Sequence, residues 1–365
     1  MIELADESYI QLTIEIAKKG EGSVSPNPLV GCVITKNNKI IGVGYHQKFG
    51  KEHAEINAIN SATESLEGST LFVNLEPCSH HGKTPPCVDR IIKEKIKRVV
   101  IGTLDINPLI SGNGVKALKK AGIEVKVGVL EKECLELNKF FFKYIFKKLP
   151  YVTLKAAQTL DGMIADVNNY SEWISSEQSR KHVHSLRTKY DAVLIGSETA
   201  RMDNPKLTVR MVEGRNPYRI ILDSKLNLNP ELNVFKTNKD KKTILVTIDD
   251  NVSRKNKIKK FEQLGVNVIF VKKNHNGRVN LKSMLKEIRK IGIASILVEG
   301  GAKVYSSFVK QDLFDDILLF ISPKILGTGV KTFSELSSSN LKAALKLKLE
   351  SSEIFGEDVL LHFVK

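Results

Sequence analysis

Through the first 150 residues the apolar positions switch repeatedly between a helical and a strand period. Tyr9, Leu12 and Ile16, with Ile10, Thr13 and Ala17 beside them, form one stripe of a helix over 7–18, which Gly20 and Gly22 end. Leu29–Thr35 and Ile40–Tyr45 read as a hairpin around the turn-forming Lys36-Asn37-Asn38-Lys39. A helix from His53 to about Ala62 follows, then a strand at Thr70–Asn74 and a helix opened by Cys87, after two prolines, to about Lys95. Strands at Arg98–Gly102 and Glu124–Val127 then alternate with helices at Gly114–Ala121 and Glu131–Phe146. This order predicts a mixed sheet between helical layers, an α/β/α sandwich. Pro150 cannot continue the preceding helix, so Lys147-Lys148-Leu149-Pro150 marks a boundary between domains at 1–147 and 151–365.

The second part opens with an apolar strand at Tyr151–Ala157, interrupted by Lys155, and a tight turn at Thr159-Leu160-Asp161-Gly162. Strands at Ala192–Ile195, Tyr218–Leu222, Thr243–Thr247, Asn267–Phe270 and Ser295–Val298 alternate with helices at Ser176–Lys189, Val252–Leu264 and Leu281–Ile291. That rhythm predicts a mostly parallel sheet with crossover helices. Ile317–Ile321 and Val359–Phe363 read as terminal antiparallel strands.

At 365 residues, 42% of them hydrophobic and 27% charged, the chain suits two globular domains with full cores. No 18 consecutive apolar residues occur and residues 1–12 contain no apolar run, so neither a membrane span nor a secretory signal is expected, and the cytoplasm fits. Four cysteines make a disulfide framework unlikely; Cys32 and Cys134 read as plain thiols. The formal net charge is +15, with 21 Lys and Arg against 17 Asp and Glu in residues 1–150 and 35 against 24 in the remainder. Such an excess suits anionic ligands or nucleic acid. The densest run, Arg254–Lys260, has no aromatics to stack bases and reads as a solvated helix face.

The candidate chemistry concentrates at His53-Ala54-Glu55, Pro77-Cys78 and Cys87. One imidazole and two thiolates ligate zinc and leave a tetrahedral position for water. Glu55, in the first turn of a helix, is placed to move protons rather than to ligate. This is the residue set of zinc deaminases, in which metal-activated water attacks an amine-bearing ring carbon. The plain alternative is a surface histidine, a helix-start carboxylate and two buried thiols. Eight residues, Ser79 to Pro86, separate the cysteines where most such deaminases have two. With His80, His81 and Lys83, that loop suits a phosphorylated substrate. From spacing alone it is equally an insertion, and His80 and His81 compete as ligands.

In the second part, a lysine inside an apolar strand is costly unless an anion or polar group meets it, which points to Lys155 as a site residue; the alternative is an edge position facing water. Glu299-Gly300-Gly301, between a strand and a helix from about Ala302, offers backbone amides to a phosphate or makes only a tight turn. No Gly-x-Gly-x-x-Gly occurs, which disfavours a Rossmann nucleotide site.

Ser25-Pro26-Asn27-Pro28-Leu29-Val30-Gly31, His53-Ala54-Glu55 and the stretch from Pro77-Cys78 to Pro86-Cys87 resemble the bifunctional riboflavin-biosynthesis deaminase–reductase family. The likeness extends to Lys155-Ala156-Ala157, Trp173-Ile174-Ser175, Asp203-Asn204-Pro205, Leu207-Thr208-Val209-Arg210 and Val298-Glu299-Gly300-Gly301. It implies a cytidine-deaminase-like domain followed by a dihydrofolate-reductase-like one, with Zn2+ and NADPH as cofactors. It implies that His53, Cys78 and Cys87 bind zinc, that Glu55 is the proton shuttle, and that Asn27, His80 and Lys83 hold substrate. By position, Gln158, Trp173, Thr199, Asp203, Ser224, Gly300 and Gly301 face NADPH. Gln158 stands where the family commonly has a small residue. Ser171, Arg187, Leu207, Arg210 and Glu299 face the phosphorylated ribosylamino-pyrimidine. Core packing of Trp173 and a plain turn at Asp203-Asn204-Pro205 remain the structural alternatives.

Two physical points agree with this. Arg187 and Arg210 are bidentate phosphate donors by type, and a basic second domain suits a cofactor that carries a third phosphate. No acid is evident for the reduction, so positioning with Lys155 or Glu299 is expected to carry it. The small-molecule reading, with a homo-oligomer (dimer or tetramer) and neither nucleic acid nor membrane as partner, stands against two others. A nucleic-acid base deaminase predicts two residues between the cysteines, and a structural-zinc scaffold needs a fourth protein ligand.

Overall fold

The computed structural model describes residues 5–79, 85–106, 111–337 and 340–365. The chain divides into two compact units, Met1–Lys148 and Leu149–Lys365.

The first unit contains strands β1 (Gly31–Lys36), β2 (Lys39–Tyr45), β3 (Thr70–Leu75), β4 (Arg98–Thr103) and β5 (Glu124–Val127), in sheet order β2-β1-β3-β4-β5. The hairpin β1–β2 and the pair β1–β3 are antiparallel, whereas β3, β4 and β5 run parallel. Its helices are α1 (Asp6–Ala17), α2 (Ala54–Asn60), α3 (Cys87–Lys93), α4 (Asn113–Lys120), α5 (Glu131–Leu137) and α6 (Lys139–Phe146). Alternation along the strands sorts the core into two layers. Cys32, Ile34, Leu71, Val73, Val99 and Ile101 pack with Ala54, Ala58, Val88, Ile91 and Leu118 of α2, α3 and α4. Val33, Phe72 and Val100 meet Tyr9, Ile10, Ile14 and Cys134 of α1 and α5 on the other face. The layout is the expected α/β/α sandwich.

The single helix expected over Glu131–Phe146 is two. Asn138, between α5 and α6, has φ −108°; its amide accepts from Leu29 N at 2.7 Å and donates to Leu29 O at 2.9 Å. Residue 138 leaves helical backbone there, and its side chain ties the segment to a chain 109 residues earlier.

The second unit contains β6 (Tyr151–Thr159), β7 (Met163–Ala165), β8 (Ala192–Gly196), β9 (Tyr218–Leu222), β10 (Thr243–Ile248), β11 (Asn267–Val271), β12 (Ser295–Gly300), β13 (Asp316–Ser322), β14 (Val330–Lys331), β15 (Lys348–Phe355) and β16 (Asp358–Val364). A nine-stranded sheet runs β11-β10-β9-β8-β12-β6-β13-β16-β15, with β7 and β14 pairing separately. The strands from β11 to β13 are mutually parallel. β13 and β16 pair antiparallel, as expected of the two closing segments, and β13 also lies parallel to β6.

The helices are α7 (Glu177–Lys189), α8 (Ser197–Met202), α9 (Asn233–Lys236), α10 (Lys255–Gln263), α11 (Leu281–Lys290) and α12 (Ala302–Lys310). Val152, Leu154 and Ala156 face Met284, Leu285, Ile288 and Phe308 of α11 and α12. The intervening residues 153, 155 and 157 of β6 therefore project to the opposite face, which directs Lys155 away from that core. The basic run Arg254–Lys260 lies mostly exposed on α10 and its approach. No described helix is long and apolar enough to cross a membrane.

Asp6 at the start of α1 receives two bonds from Arg98 of β4, at 2.8 and 2.9 Å, and one from Lys126 of β5 at 2.7 Å. The Arg98 guanidinium holds its carboxyl down to about 2, against burial, which raises it. A carboxylate with a lowered folded pKa stabilises the fold above its unfolded value and loses that contribution as pH falls through the folded one. The denaturation-midpoint gap between wild type and Asp6→Asn is therefore expected to be full above about pH 4 and to close towards pH 2. A gap independent of pH would contradict this assignment.

Candidate functional site

Two glycines set the backbone of the first site. A Cβ on Gly44 of β2 would stand 2.3 Å from Ala58 N and 2.5 Å from Ala54 O, so β2 and α2 touch backbone to backbone. One on Gly114 of α4 would stand 2.3 Å from Pro77 O. The chain between β3 and Cys78 is pinned further by Glu76, whose buried carboxylate accepts from Asp105 N, Gly112 N and Val115 N at 3.2, 2.9 and 3.2 Å.

On this frame His53 takes the N-cap position of α2, Cys87 opens α3, and Cys78 sits on the loop after β3. Their donor atoms lie within 4.8 Å of one another, with Cys78 Sγ 3.5 Å and Cys87 Sγ 3.3 Å from His53 Nδ1. A sulfur and a nitrogen at usual zinc bond lengths stand about 3.5 Å apart at the tetrahedral angle. The three residues thus fit one zinc ion. No fourth His, Cys, Asp or Glu joins them among the described residues. His80, His81 and Lys83 lie outside the described residues. The neighbouring Cys87 thiol and the His53 ring hold Cys78 down to about 4, in the thiolate range. Glu55, 3% exposed in the first turn of α2, is pushed by burial up to about 7. A carboxyl balanced near neutrality can accept a proton and return it.

Asn27 sits beside a residue that the sequence did not single out, His46. His46 Nδ1 lies 2.9 Å from Glu52 O, which only accepts, so Nδ1 carries the proton. Its Nε2 then accepts from Asn27 Nδ2 at 3.1 Å. That fixes the Asn27 amide, and the His46 ring meets the His53 ring edge-on at 5.6 Å between centroids. The only sequence signal for His46 is its place at the end of the hairpin, seven residues before His53.

The second unit has a cleft of about 860 Å³. Lys155, Trp173, Thr199, Asp203, Ser224, Gly300 and Gly301 line it, as do Ser171, Arg187, Leu207, Arg210 and Glu299. Gln158 does not join them: it lies on the opposite face of β6 from Lys155 and Ala157, where its Oε1 accepts from Thr332 Oγ1 at 2.6 Å. Its expected cofactor contact is thereby corrected. Trp173 is 61% exposed with the Arg180 guanidinium 4.3 Å over its ring, which rules out core packing. Asp203 does more than turn the chain, since Ser171 Oγ donates to it at 3.4 Å within the cleft.

Arg187 needs a second correction. Its Nε and Nη2 donate to the two carboxylate oxygens of Glu299, both at 2.7 Å, and Nη1 donates to Thr208 O at 3.1 Å. The fork expected for phosphate is occupied by a carboxylate in a nearly buried pair. Arg210 differs, since among the described residues its guanidinium bonds only Thr208, at 3.1 and 3.4 Å. Its backbone N–H donates to His184 Nδ1 at 3.0 Å. His184 lines the cleft, and burial together with the Arg187 and Arg210 charges pushes it down to about 4. It is thus a neutral ring with Nε2–H as donor, a second residue the sequence reading missed. Burial also lowers Lys155, while the Glu299 charge raises it.

The family model for the RibD C-terminal domain matches residues 150–361, and that for the cytidine and deoxycytidylate deaminase zinc-binding region matches residues 4–103. The chain is 45% identical to the riboflavin biosynthesis protein RibD of Aquifex aeolicus, over 100% of this chain and 99% of that one. Against RibD of Escherichia coli K12 the identity is 34%, covering 99% and 100%. A solved structure from Thermotoga maritima is similar at TM-score 0.88 and 42% identity, over 98% of both chains. It is a diaminohydroxyphosphoribosylaminopyrimidine deaminase/5-amino-6-(5-phosphoribosylamino)uracil reductase.

Cys78→Ala and Cys87→Ala are each expected to reduce zinc content from about one ion per chain to a small fraction, while Cys134→Ala retains it, as read by elemental analysis after dialysis. Arg187→Ala strands the Glu299 carboxylate and is expected to destabilise the second unit by about 3–5 kcal/mol in chemical denaturation. An effect below about 1 kcal/mol would show that the pair is not buried as described.

Proposed function

The chain belongs to the RibD family of bifunctional deaminase–reductases of riboflavin biosynthesis, which use zinc and NADPH, and on that premise we propose the substrate and the residues of each step. Residues 1–147 form the deaminase domain and residues 151–365 the reductase domain. The substrate is 2,5-diamino-6-(5-phosphoribosylamino)pyrimidin-4-one, which loses an amino group as ammonia to water and then has its ribosyl group reduced to ribityl phosphate. The observation that carries the first step is the convergence of His53, Cys78 and Cys87 with the buried Glu55 beside them.

His53, Cys78 and Cys87 would hold the zinc ion, which when bound lowers the pKa of a water. Glu55 takes a proton from the attacking water and delivers it to the departing amino nitrogen; burial near neutrality supports both roles. Asn27, its amide fixed by His46, orients the substrate, which His80 and Lys83 help to hold.

In the reductase cleft NADPH supplies the hydride. Trp173, Thr199, Asp203, Ser224 and the Gly300-Gly301 turn hold the cofactor. At Gly301 a Cβ would meet Thr199 Oγ1 at 2.8 Å, a close fit in which the backbone itself lines the cleft. Arg210, whose guanidinium is not committed to a carboxylate, takes the substrate phosphate, and Ser171 and Leu207 border it. Arg187 holds Glu299, and the Glu299 charge raises Lys155 against the burial that lowers it. Lys155 would give its proton to the ribose ring oxygen as the C1′–O bond breaks, which balances the hydride that NADPH would supply to C1′.

The reading extends to a homo-oligomer in the cytoplasm. β15 is an edge strand with Leu349 and Ile354 exposed, a surface that a second copy would cover. The deciding test is NADPH oxidation by wild type and Glu55→Gln on the diamino substrate and on its pre-deaminated product. Wild type is expected to use both, and Glu55→Gln only the product. Equal activity of the two proteins on the diamino substrate would refute the role of Glu55.

A further inference from the structure

Trp173 is the one tryptophan of the chain, and it is 61% exposed where it lines the cleft. An indole so little buried is not placed by core packing, so its position depends on tethers. Two are present. The Arg180 guanidinium lies 4.3 Å over the ring, and Arg180 Nη1 donates to Ser175 O at 2.6 Å, which fixes the cation there. Lys324 Nζ donates to the Trp173 carbonyl at 2.7 Å, from a segment 151 residues further along the chain.

The side chain of Lys324 is exposed, and its backbone is held in turn. β6 and β13 are parallel neighbours as far as Thr159 and Ser322, so the chain leaves both strands at the same end of the sheet. Just beyond, Leu160 N donates to Lys324 O at 2.7 Å. The Asp161 carboxylate accepts from Gly327 N at 2.6 Å and from Leu326 N at 3.2 Å. Thr159 Oγ1 donates to it as well, and the Thr159 hydroxyl and Gly327 amide hold the carboxyl down to about 2. Asp161 and Lys324 lie outside the cleft lining, so what they do for the cleft passes through the residues they hold.

We propose that Lys324 and Asp161 are positioning residues of the reduction: Asp161 fixes the 324–327 turn, and Lys324 holds the Trp173 carbonyl so that the indole is preset for NADPH. A ring ordered in advance need not be ordered when the cofactor binds, which lowers KM and leaves kcat unchanged. This rests on the assignment of Trp173 to the cofactor.

The test joins tryptophan fluorescence, which reports Trp173 alone, to steady-state kinetics of the zinc-loaded full chain on the deaminated substrate. The variants are Lys324→Ala, Lys324→Arg, Asp161→Ala, Trp173→Ala and the Lys324→Ala/Trp173→Ala double. Before cofactor is added, Lys324→Ala and Asp161→Ala should lower the emission anisotropy and raise quenching by acrylamide, while Lys324→Arg keeps the wild-type values. Lys324→Ala should raise the KM for NADPH about two- to tenfold, the scale of one hydrogen bond. Its kcat should stay within about twofold of wild type. The double variant should match Trp173→Ala, because Lys324 acts through that ring. Unchanged anisotropy in Lys324→Ala, or an unchanged KM there when Trp173→Ala raises it, overturns this inference and leaves the cofactor contact standing. A KM for NADPH that Trp173→Ala does not alter overturns that contact and this inference with it.

Discussion

The first unit depends on how closely two pieces of backbone can approach. Gly42 and Gly44 of β2 leave no room for a Cβ, the first against Ala58 O at 2.5 Å and the second against Ala58 N at 2.3 Å. Only at that distance does α2 begin where His53 can reach the two sulfurs. The same contact buries Glu55 and so creates its raised pKa. Packing and acid–base chemistry in this unit are therefore one constraint: any side chain that separated hairpin from helix would misplace a ligand and rehydrate the carboxyl.

The second unit meets a different difficulty, too many positive charges around one cleft. Arg187, Arg210, Lys155 and His184 act on one another there, with Glu299 as their common counter-charge. The chain relieves the repulsion in three ways. One guanidinium is locked to Glu299, the imidazole stays neutral, and burial favours the uncharged form of the amine. What remains for an incoming anion is a small number of cleft cations with no acidic partner among the described residues.

Much of this was legible in the sequence. Strand alternation and helical stripes gave the sandwich because Cys32 and Ile34 must face one layer and Val33 the other. The metal set was legible because few residue types ligate zinc. What was hidden depends on partners far along the chain. Asn138 breaks a continuous apolar helix pattern for the sake of Leu29, and His46 and His184 gain meaning only from Asn27 and Arg210. Arg187 looked like a phosphate fork because its type allows that, while the carboxylate that occupies it comes 112 residues later. β15 lacks a buried face, so no period betrays it.

The position of β6 carries a consequence for how the protein is made. Tyr151 pairs with Ser295 on one side, and Thr153 with Asp316 on the other, so the first strand of the second unit lies between neighbours synthesised long afterwards. Loop closure on that scale must precede any reward from the contacts. During translation Val152, Leu154 and Ala156 stay without their strand neighbours until β12 and β13 leave the ribosome. The five strands of the first unit's sheet all come from its own 148 residues, so that sheet can form before then.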